Sequence, residues 1–293
     1  MKKVFIATLI IFITSLVLLI VSFTLGFKAL NAKEFFTDSY KYEEVPEVVI
    51  EDEITKLDYK GQTKNIIINT HDEEKILINY NKHKHEEITI KIENNTLIIN
   101  QVKNTKWYHN IELNFGFSDL NKMVITLPKA LIDITITNTV GNVSLSDISG
   151  NNLKLDVTTG NININALEFI EKITVNSHVG NINVENIKTN ILNLEATTGN
   201  IKIKNSKQDI TNIETSTGNV VVENIESNTI NIDVSTGDVK LKIDYLDYKL
   251  IFKTNTGNVR VNGSNQGSSY TKLEGSKTIT VNSSTGNITI NLI

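Results

Sequence analysis

Residues 197–203 read TTGNIKI, and seven variants of this string recur in the second half of the chain. Successive glycines of these strings lie 19 or 20 residues apart, except for a final interval of 29. A period this regular predicts a parallel β-solenoid in which each repeat forms one layer. The predicted structural turns are Gly141 and Asn142, Gly160 and Asn161, Gly180 and Asn181, Gly199 and Asn200, Gly218 and Asn219, Gly237 and Asp238, Gly257 and Asn258, and Gly286 and Asn287.

Apolar residues flank each turn at fixed offsets. In every repeat the residues two and four positions after the glycine are apolar, as are Ile201 and Ile203. The residue five positions before the glycine is also apolar, as is Leu194. Because side chains alternate across a strand, these three residues point to one side, which we expect to be the core. The glycine between them fits a corner that has no room for a Cβ atom. Stacked Asn side chains at this corner are expected to form a hydrogen-bonded ladder.

Upstream of the repeats, from Ile54 onward, apolar stretches again alternate with polar residues at period two. They are separated by turn-forming clusters, which indicates short strands. We therefore predict an all-β protein, a parallel β-solenoid (β-helix) with 19–20-residue rungs in residues 131–293. Residues 51–130 are expected to form a smaller β-region that caps the solenoid.

The longer final interval contains about ten extra residues, which we assign to the Gly- and Ser-rich segment Gly263–Ser276. The last strand, Asn287–Ile293, is expected to be the open end of the solenoid. An uncovered end invites strand addition by a partner or a second copy, and Gly263–Ser276 is the segment able to shield it.

The N-terminus carries a 24-residue stretch without charge, Val4–Phe27. As a helix it would span about 36 Å, enough to cross a bilayer. Lys2 and Lys3 precede it and all 33 acidic residues follow it, so we expect a cytoplasmic N-terminus and an extracytoplasmic C-terminal domain. The sequence thus predicts a cytoplasmic tip and transmembrane anchor in residues 1–27, partnered by the cytoplasmic membrane, and a tether in residues 28–50. A cleaved signal peptide is the alternative, but its apolar region should be shorter.

Composition excludes several classes of function. The chain has no cysteine, which excludes disulfides, thiolate metal sites and cysteine nucleophiles. Arg260 is its single arginine and the net charge is −4, so nucleic acid is not an expected partner. Asn is unusually abundant, with 39 copies, in keeping with the repeats.

Two groups of side chains could carry chemistry. His83, His85, Glu86 and Glu87, with His71 and Asp72 one hairpin away, contain metal-ligating groups, but zinc requires three or four convergent ligands. We interpret this segment as a solvated hairpin tip. Four carboxylates share a column four places before the glycines, and a polysaccharide-active enzyme would need them paired. Evenly spaced, they indicate a solvated acidic stripe formed by Asp156, Glu195, Glu214 and Asp233.

The column of turn amides could suggest a calcium site, but neutral amides bind a hard dication poorly, so we interpret the column as a structural ladder. Trp107, Tyr108, Tyr245 and Tyr248 are the aromatic candidates for contact with a sugar or a partner. We therefore expect no catalytic residues, no metal site, no cofactor and no enzyme activity.

The recurring TTGN-I-x-I turns and the strand MVITLP at residues 123–128 resemble the putative-adhesin domain family of unknown function in Gram-positive bacteria. This family includes LiaG-like membrane-anchored proteins, and the resemblance covers about residues 48–293 and the single anchor. It implies a β-solenoid entered through a smaller β-region, with a link to envelope stress and no catalytic residues.

Two functions remain open on this basis. The first is a membrane-anchored module that binds or senses a protein, a lipid headgroup or the cell wall outside the membrane. The second is a structural or adhesive rod with homotypic contacts. A polysaccharide-active β-helix enzyme is a remote third.

Overall fold

The computed structural model describes residues 15–16, 42–103, 118–130, 132–243 and 247–292. Between residues 42 and 292 the described chain forms 24 strands and one short 3-10 helix, Ser118–Asn121. The all-β class is therefore confirmed. The strands that precede the glycine repeats are β1 (Tyr42–Glu44), β2 (Val48–Ile50), β3 (Lys56–Gly61), β4 (Asn65–His71), β5 (Ile76–His83), β6 (Glu86–Glu93), β7 (Thr96–Lys103) and β8 (Lys122–Pro128).

The repeats contribute sixteen strands, some of which run around a corner without a break. They are β9 (Asp133–Val140), β10 (Val143–Ser146), β11 (Ser149–Thr159), β12 (Ile162–Asn165), β13 (Glu168–Val179), β14 (Ile182–Glu185), β15 (Lys188–Thr198), β16 (Ile201–Thr217), β17 (Val220–Thr236), β18 (Val239–Ile243), β19 (Tyr248–Thr256), β20 (Val259–Val261), β21 (Ser264–Asn265), β22 (Ser269–Lys272), β23 (Lys277–Thr285) and β24 (Ile288–Leu292).

These strands stack as ten parallel layers. Each layer has two strands. The longer strand leads into the glycine corner, and the side formed by these strands is called face A. The shorter strand follows the corner, and the side formed by these strands is called face B. On face A the spatial order is β7, β3, β9, β11, β13, β15, β16, β17, β23 and β19. On face B the order is β8, β4, β10, β12, β14, β16, β17, β18, β24 and β20. At about 4.8 Å per layer the column is about 43 Å long.

The apolar columns fill the interior of this stack. Ile201, Ile203 and Leu194 are buried, and the same offsets are buried in all other repeats except at Val261, which is half-buried. Neighbouring layers pair without a shift in register along the short strands, as in the pairing of Ile201 with Val220. One continuous core therefore runs the length of the column, and its polar alternates face outward.

The N-terminal region contributes layers to this same column. β3 and β4 form the second layer, and β7 and β8, which come later in the chain, form the first. Outside the first layer the chain turns antiparallel: β6 pairs with β7, and β5 pairs with β8 and then with β1 and β2. Strands that precede residue 131, such as β3 and β4, thus stack directly on strands that follow it, such as β9 and β10.

The C-terminal end departs from the expected order. The last strands, β23 and β24, lie inside the column, with β17 and β18 on one side and β19 and β20 on the other. The expectation that the final strand is the open end is therefore wrong. The physical end is formed by β19 and β20, which pair antiparallel with β22 and β21 from the extra segment 263–276. The segment 263–276 therefore covers β19 and β20, and not the final strand that it was expected to shield.

Candidate binding surface

The sixteen turn residues all lie at one corner of the column, between faces A and B. Their glycines have φ between +134° and +156°, a region that residues with a Cβ atom rarely adopt. A Cβ atom built on Gly199 would also overlap the carbonyl oxygen of Gly180 in the layer below. The corner therefore requires glycine both for its backbone and for the approach of the next layer. In space the glycines stack in the order Gly141, Gly160, Gly180, Gly199, Gly218, Gly237, Gly286, Gly257.

The residue after each glycine belongs to an unbroken ladder of hydrogen bonds. The backbone N–H of Asn219 donates to Oδ1 of Asn200 at 2.8 Å, and the N–H of Asn200 donates to Oδ1 of Asn181 at 2.9 Å. The same bond links every layer from Asn65 to Asn258. Because the acceptor is a side-chain oxygen, Asp238 serves as well as Asn. The ladder satisfies backbone donors at an exposed corner, which is a structural role.

Lys64 takes the glycine position in the second layer, since a Cβ atom on Gly141 would meet its carbonyl oxygen. Its side chain is fully buried, with Nζ 3.0 Å from a carboxylate oxygen of Glu86 and 2.7 Å from the carbonyl oxygen of Asn81. Glu86 also accepts hydrogen bonds from the backbone of His83 and from the amide of Gln101. A buried ion pair needs such additional partners to offset its desolvation.

This cluster corrects the interpretation of residues 83–87 as a solvated hairpin tip, because His83 and Glu86 are buried. His71 and Asp72 lie elsewhere: His71 Nε2 contacts the carbonyl oxygen of Lys75, and Asp72 forms an ion pair with Lys129. Within the described ranges no group of three or more His, Asp or Glu side chains is arranged to hold a metal ion.

The acidic column runs along face A, with its ends tied to amides. Glu195, Glu214 and Asp233 pair in register on adjacent layers and are exposed. Asn282 donates to Asp233 at 2.9 Å, and at the other end of the column Asn176 donates to Asp156 at 2.6 Å. The carboxylates are therefore spaced by the layers instead of facing one another as a catalytic pair.

Face B carries a group of cations that the sequence analysis did not single out. Lys202, Lys240 and Arg260 occupy one outward column on alternate layers, and Lys242 lies in the next column. All four are exposed, and none of them forms an ion pair within the part of the chain that the structure describes. We call these four residues the basic patch.

Lys204 lies beside the patch and is neutralised locally. Its Nζ atom is 2.9 Å from a carboxylate oxygen of Glu223 on the next layer. This hydrogen bond raises the pKa of Lys204 and lowers the pKa of Glu223. Both groups are therefore charged at neutral pH, and their charges cancel. Glu185, exposed and in register with Lys204 on the preceding layer, adds one negative charge, so face B remains positive through the four cations of the basic patch.

A shallow groove of about 460 Å³ continues from the patch toward the N-terminal layers of face B. Most of its outward residues are amides and hydroxyls, such as Ser144, Asn163 and Asn183. Ile67 and the exposed carboxylate of Glu185 also line it, and Lys202 and Lys204 line its other end. Amides and hydroxyls donate and accept hydrogen bonds without fixing one partner. Face B thus combines a polar groove with a cationic end.

The aromatic candidates do not join this surface. Tyr248 is buried, and its hydroxyl donates to the carbonyl oxygen of Ser227 at 2.8 Å, so it packs in the core. Trp107, Tyr108 and Tyr245 lie outside the described residues.

The anchor stretch Val4–Phe27, apart from residues 15–16, lies outside the described residues. In the parts of the chain that are described, no helix is long and apolar enough to span a bilayer.

Two solved structures share the fold. A protein from Bacteroides fragilis titled a putative adhesin is 18% identical, with a TM-score of 0.55, over 87% of this chain and 99% of its own. A protein from Parabacteroides distasonis titled a putative lipid binding protein is 14% identical, with a TM-score of 0.52, over 86% of this chain and 97% of its own. At these identities the likeness shows the fold alone. No curated protein matches the chain.

A family model matches nearly all of the column. It is described as Toastrack DUF4097, and the match covers residues 54–291. This range begins just before β3 and ends within β24, so it takes in all ten layers. The chain belongs to the Toastrack DUF4097 family.

Proposed function

We propose that the protein is a non-catalytic module, anchored in the cytoplasmic membrane by residues 4–27, that binds an anionic component of the cell envelope outside that membrane. The observation that carries the proposal is the basic patch: four exposed cations on one face of a chain whose net charge is −4. A positive surface on an acidic protein attracts an anionic partner to one orientation.

The spacing of the patch favours an extended partner. Lys202 and Lys240 are two layers apart, as are Lys240 and Arg260, so cations recur about every 10 Å along the column. A polymer with repeated phosphate or carboxylate groups could contact several of them at once, and multiple contacts raise the overall affinity. The hydroxyl- and amide-lined groove would accommodate the uncharged parts of such a polymer.

The titles of the structural neighbours agree with a binding role, because one names an adhesin and the other a lipid-binding protein. A role in the response to envelope stress follows from the resemblance to LiaG-like proteins and belongs to this proposal. The adhesive rod with homotypic contacts remains the second candidate, favoured by an apolar end described in the next subsection.

The test uses the full-length protein in a neutral detergent, with inorganic polyphosphate as the probe. The double variant Lys202→Glu/Lys240→Glu should raise the dissociation constant for polyphosphate about tenfold or more, because two attractive contacts become repulsive. Lys249→Glu/Lys253→Glu makes the same change of charge at two exposed lysines on face A and should leave the dissociation constant within twofold.

Absence of binding by the unmodified protein would overturn the proposal. So would an equal loss in both double variants, because it would show an effect of net charge without a site on face B.

A further inference from the structure

The N-terminal end of the column has an edge strand with no neighbour. β6 pairs with β7 along its full length, and its other edge meets no strand among the described residues. An edge of eight residues presents a row of backbone groups that are ready to pair with another strand. By contrast, the layer at the other end of the column, β19 and β20, is covered by β22 and β21.

The core is also open at this end. Ile88, Ile90 and Ile92 of β6 point inward yet are only half-buried, because no layer lies beyond them. Together with Val48, Ile50 and Tyr80 they line an open cavity of about 570 Å³, which the charged residues Asp52 and Lys91 also line. A group of partly exposed apolar side chains at an unpaired edge is typical of an interface.

The outward residues of β6 determine which partner fits. Glu87, Thr89, Lys91 and Glu93 are exposed in that order. If a second β6 pairs antiparallel with Thr89 opposite Thr89, each Glu87 lies opposite a Lys91 of the other copy. In that register Ile88 lies opposite Ile90 of the other copy, and Ile92 lies opposite Glu86.

Three neighbouring registers lack this charge match. Centring the pair on Ile88 places Glu87 opposite Thr89 and Lys91 opposite His85, so neither meets an opposite charge. Centring the pair on Ile90 places Glu87 opposite Glu93, and centring it on Lys91 places two lysines opposite each other. Like charges directly opposite on adjacent strands are destabilising. Charges on an edge commonly discourage pairing, but this sequence is self-complementary in one register.

We infer that a second copy of this chain docks at the β6 edge, with Thr89 on the two-fold axis, so that two columns join end to end. In one copy, Lys91 Nζ lies 2.7 Å from a carboxylate oxygen of Glu93 in an exposed ion pair. In the dimer this ion pair is replaced by one between Lys91 and Glu87 of the other copy. Exposed pairs of this kind contribute little, so the exchange costs little. On the face B side of this end, β1 and β2 lie one strand beyond β5 in each copy, so the copies pair through β6 on the face A side.

This inference is independent of the basic patch, which lies on face B in the C-terminal half of the column. The self-complementary edge would remain if polyphosphate did not bind, and the basic patch would remain if the protein were monomeric.

The absence of cysteine allows a direct test in membranes that contain the full-length protein. Residues directly opposite on antiparallel strands have Cα atoms about 4.5–5.5 Å apart, within the range of a disulfide. Thr89→Cys should therefore form a disulfide-linked dimer on mild oxidation. Thr197→Cys, at an exposed threonine near the middle of the column, controls for random collisions and should remain monomeric.

A charge exchange tests the register. Glu87→Lys should raise the dissociation constant of the dimer in detergent about tenfold, because it places lysines opposite each other twice. Lys91→Glu should do the same, and Glu87→Lys/Lys91→Glu should restore the dimer.

The inference fails if Thr89→Cys forms no more dimer than Thr197→Cys, which would indicate that a lipid chain or another part of the same chain covers the cavity. It fails equally if the double charge exchange does not recover association.

Discussion

The backbone N–H of Asn287 donates a hydrogen bond to Oδ1 of Asp238 at 2.8 Å, across 49 residues of the chain. The next bond of the ladder runs from the N–H of Asn258 to Oδ1 of Asn287. The C-terminal layer is therefore inserted between two layers that are consecutive in sequence. Ladder, glycine stack and strand pairing agree on this order.

The inserted layer predicts where the column is sensitive. Ile290 is fully buried in β24 with a layer on either side, so Ile290→Asp should abolish cooperative thermal unfolding, as Ile201→Asp should in mid-column. Leu273→Asp, at a residue that is 71% exposed, is the control and should change the melting temperature little. A small effect of Ile290→Asp would show that β24 lies at a frayed end.

The glycine corner predicts that two glycines with positive φ differ in how strongly substitution by alanine destabilises the protein. Gly199→Ala combines an unfavourable φ with overlap of the Gly180 carbonyl oxygen, and should lower the free energy of unfolding by about 3 kcal/mol or more. At Gly267 the space is open and φ is +78°, so Gly267→Ala should cost about 1 kcal/mol. Equal costs in chemical denaturation would contradict the close approach of layers at the corner.

The ladder predicts that the acceptor oxygen of Asn200 matters more than its amide nitrogen, which donates to Oδ1 of Asn181 at a longer 3.2 Å. Asn200→Ala leaves the N–H of Asn219 without its side-chain acceptor and should cost about 1 kcal/mol. Asn200→Asp keeps the oxygen, as Asp238 does naturally, and should cost less than half as much. If the two substitutions reduce the free energy of unfolding equally, the side-chain oxygen is not the stabilising group.

The buried ion pair predicts a rescue. Lys64→Met leaves the Glu86 carboxylate buried without its cation, which should cost about 3–5 kcal/mol. Adding Glu86→Gln removes the buried charge and keeps one acceptor oxygen for the N–H of His83, although its amide nitrogen then stands where an oxygen accepted from Gln101. The double variant should therefore be more stable than Lys64→Met alone in a urea titration; a double variant that is less stable would contradict this account of the cluster.

Much of the column could be predicted because its layers repeat. The spacing of Gly199, Asn200 and Ile201 recurs eight times, and elementary sterics give each position one role. The layer containing Lys64 was missed, because a lysine stands where the pattern has glycine. Its signal was present in the string KNIIIN at residues 64–69, which keeps the Asn and both apolar positions.

Two other features depend on contacts that a repeat pattern does not contain. The order of the last layers is set by the pairing of β17 with β23. If the layers followed the order of the sequence, β19 would pair with β17 instead. The basic patch combines residues from separate repeats, such as Lys202 and Lys240, which become neighbours when the layers stack. A second corner, with Asn186, Asn205 and Asn224 at positive φ, was likewise hidden among the many asparagines.

The central claim is that the column lies outside the cytoplasmic membrane, because a module that binds a component of the cell envelope must be exposed to the envelope. In protoplasts of cells that make the full-length protein, Thr197→Cys would be the single cysteine of the chain. A membrane-impermeant maleimide should label it in intact protoplasts, whereas Lys2→Cys should react only after lysis. Labelling of Lys2→Cys but not of Thr197→Cys in intact protoplasts would contradict the account, because it would place the column in the cytoplasm.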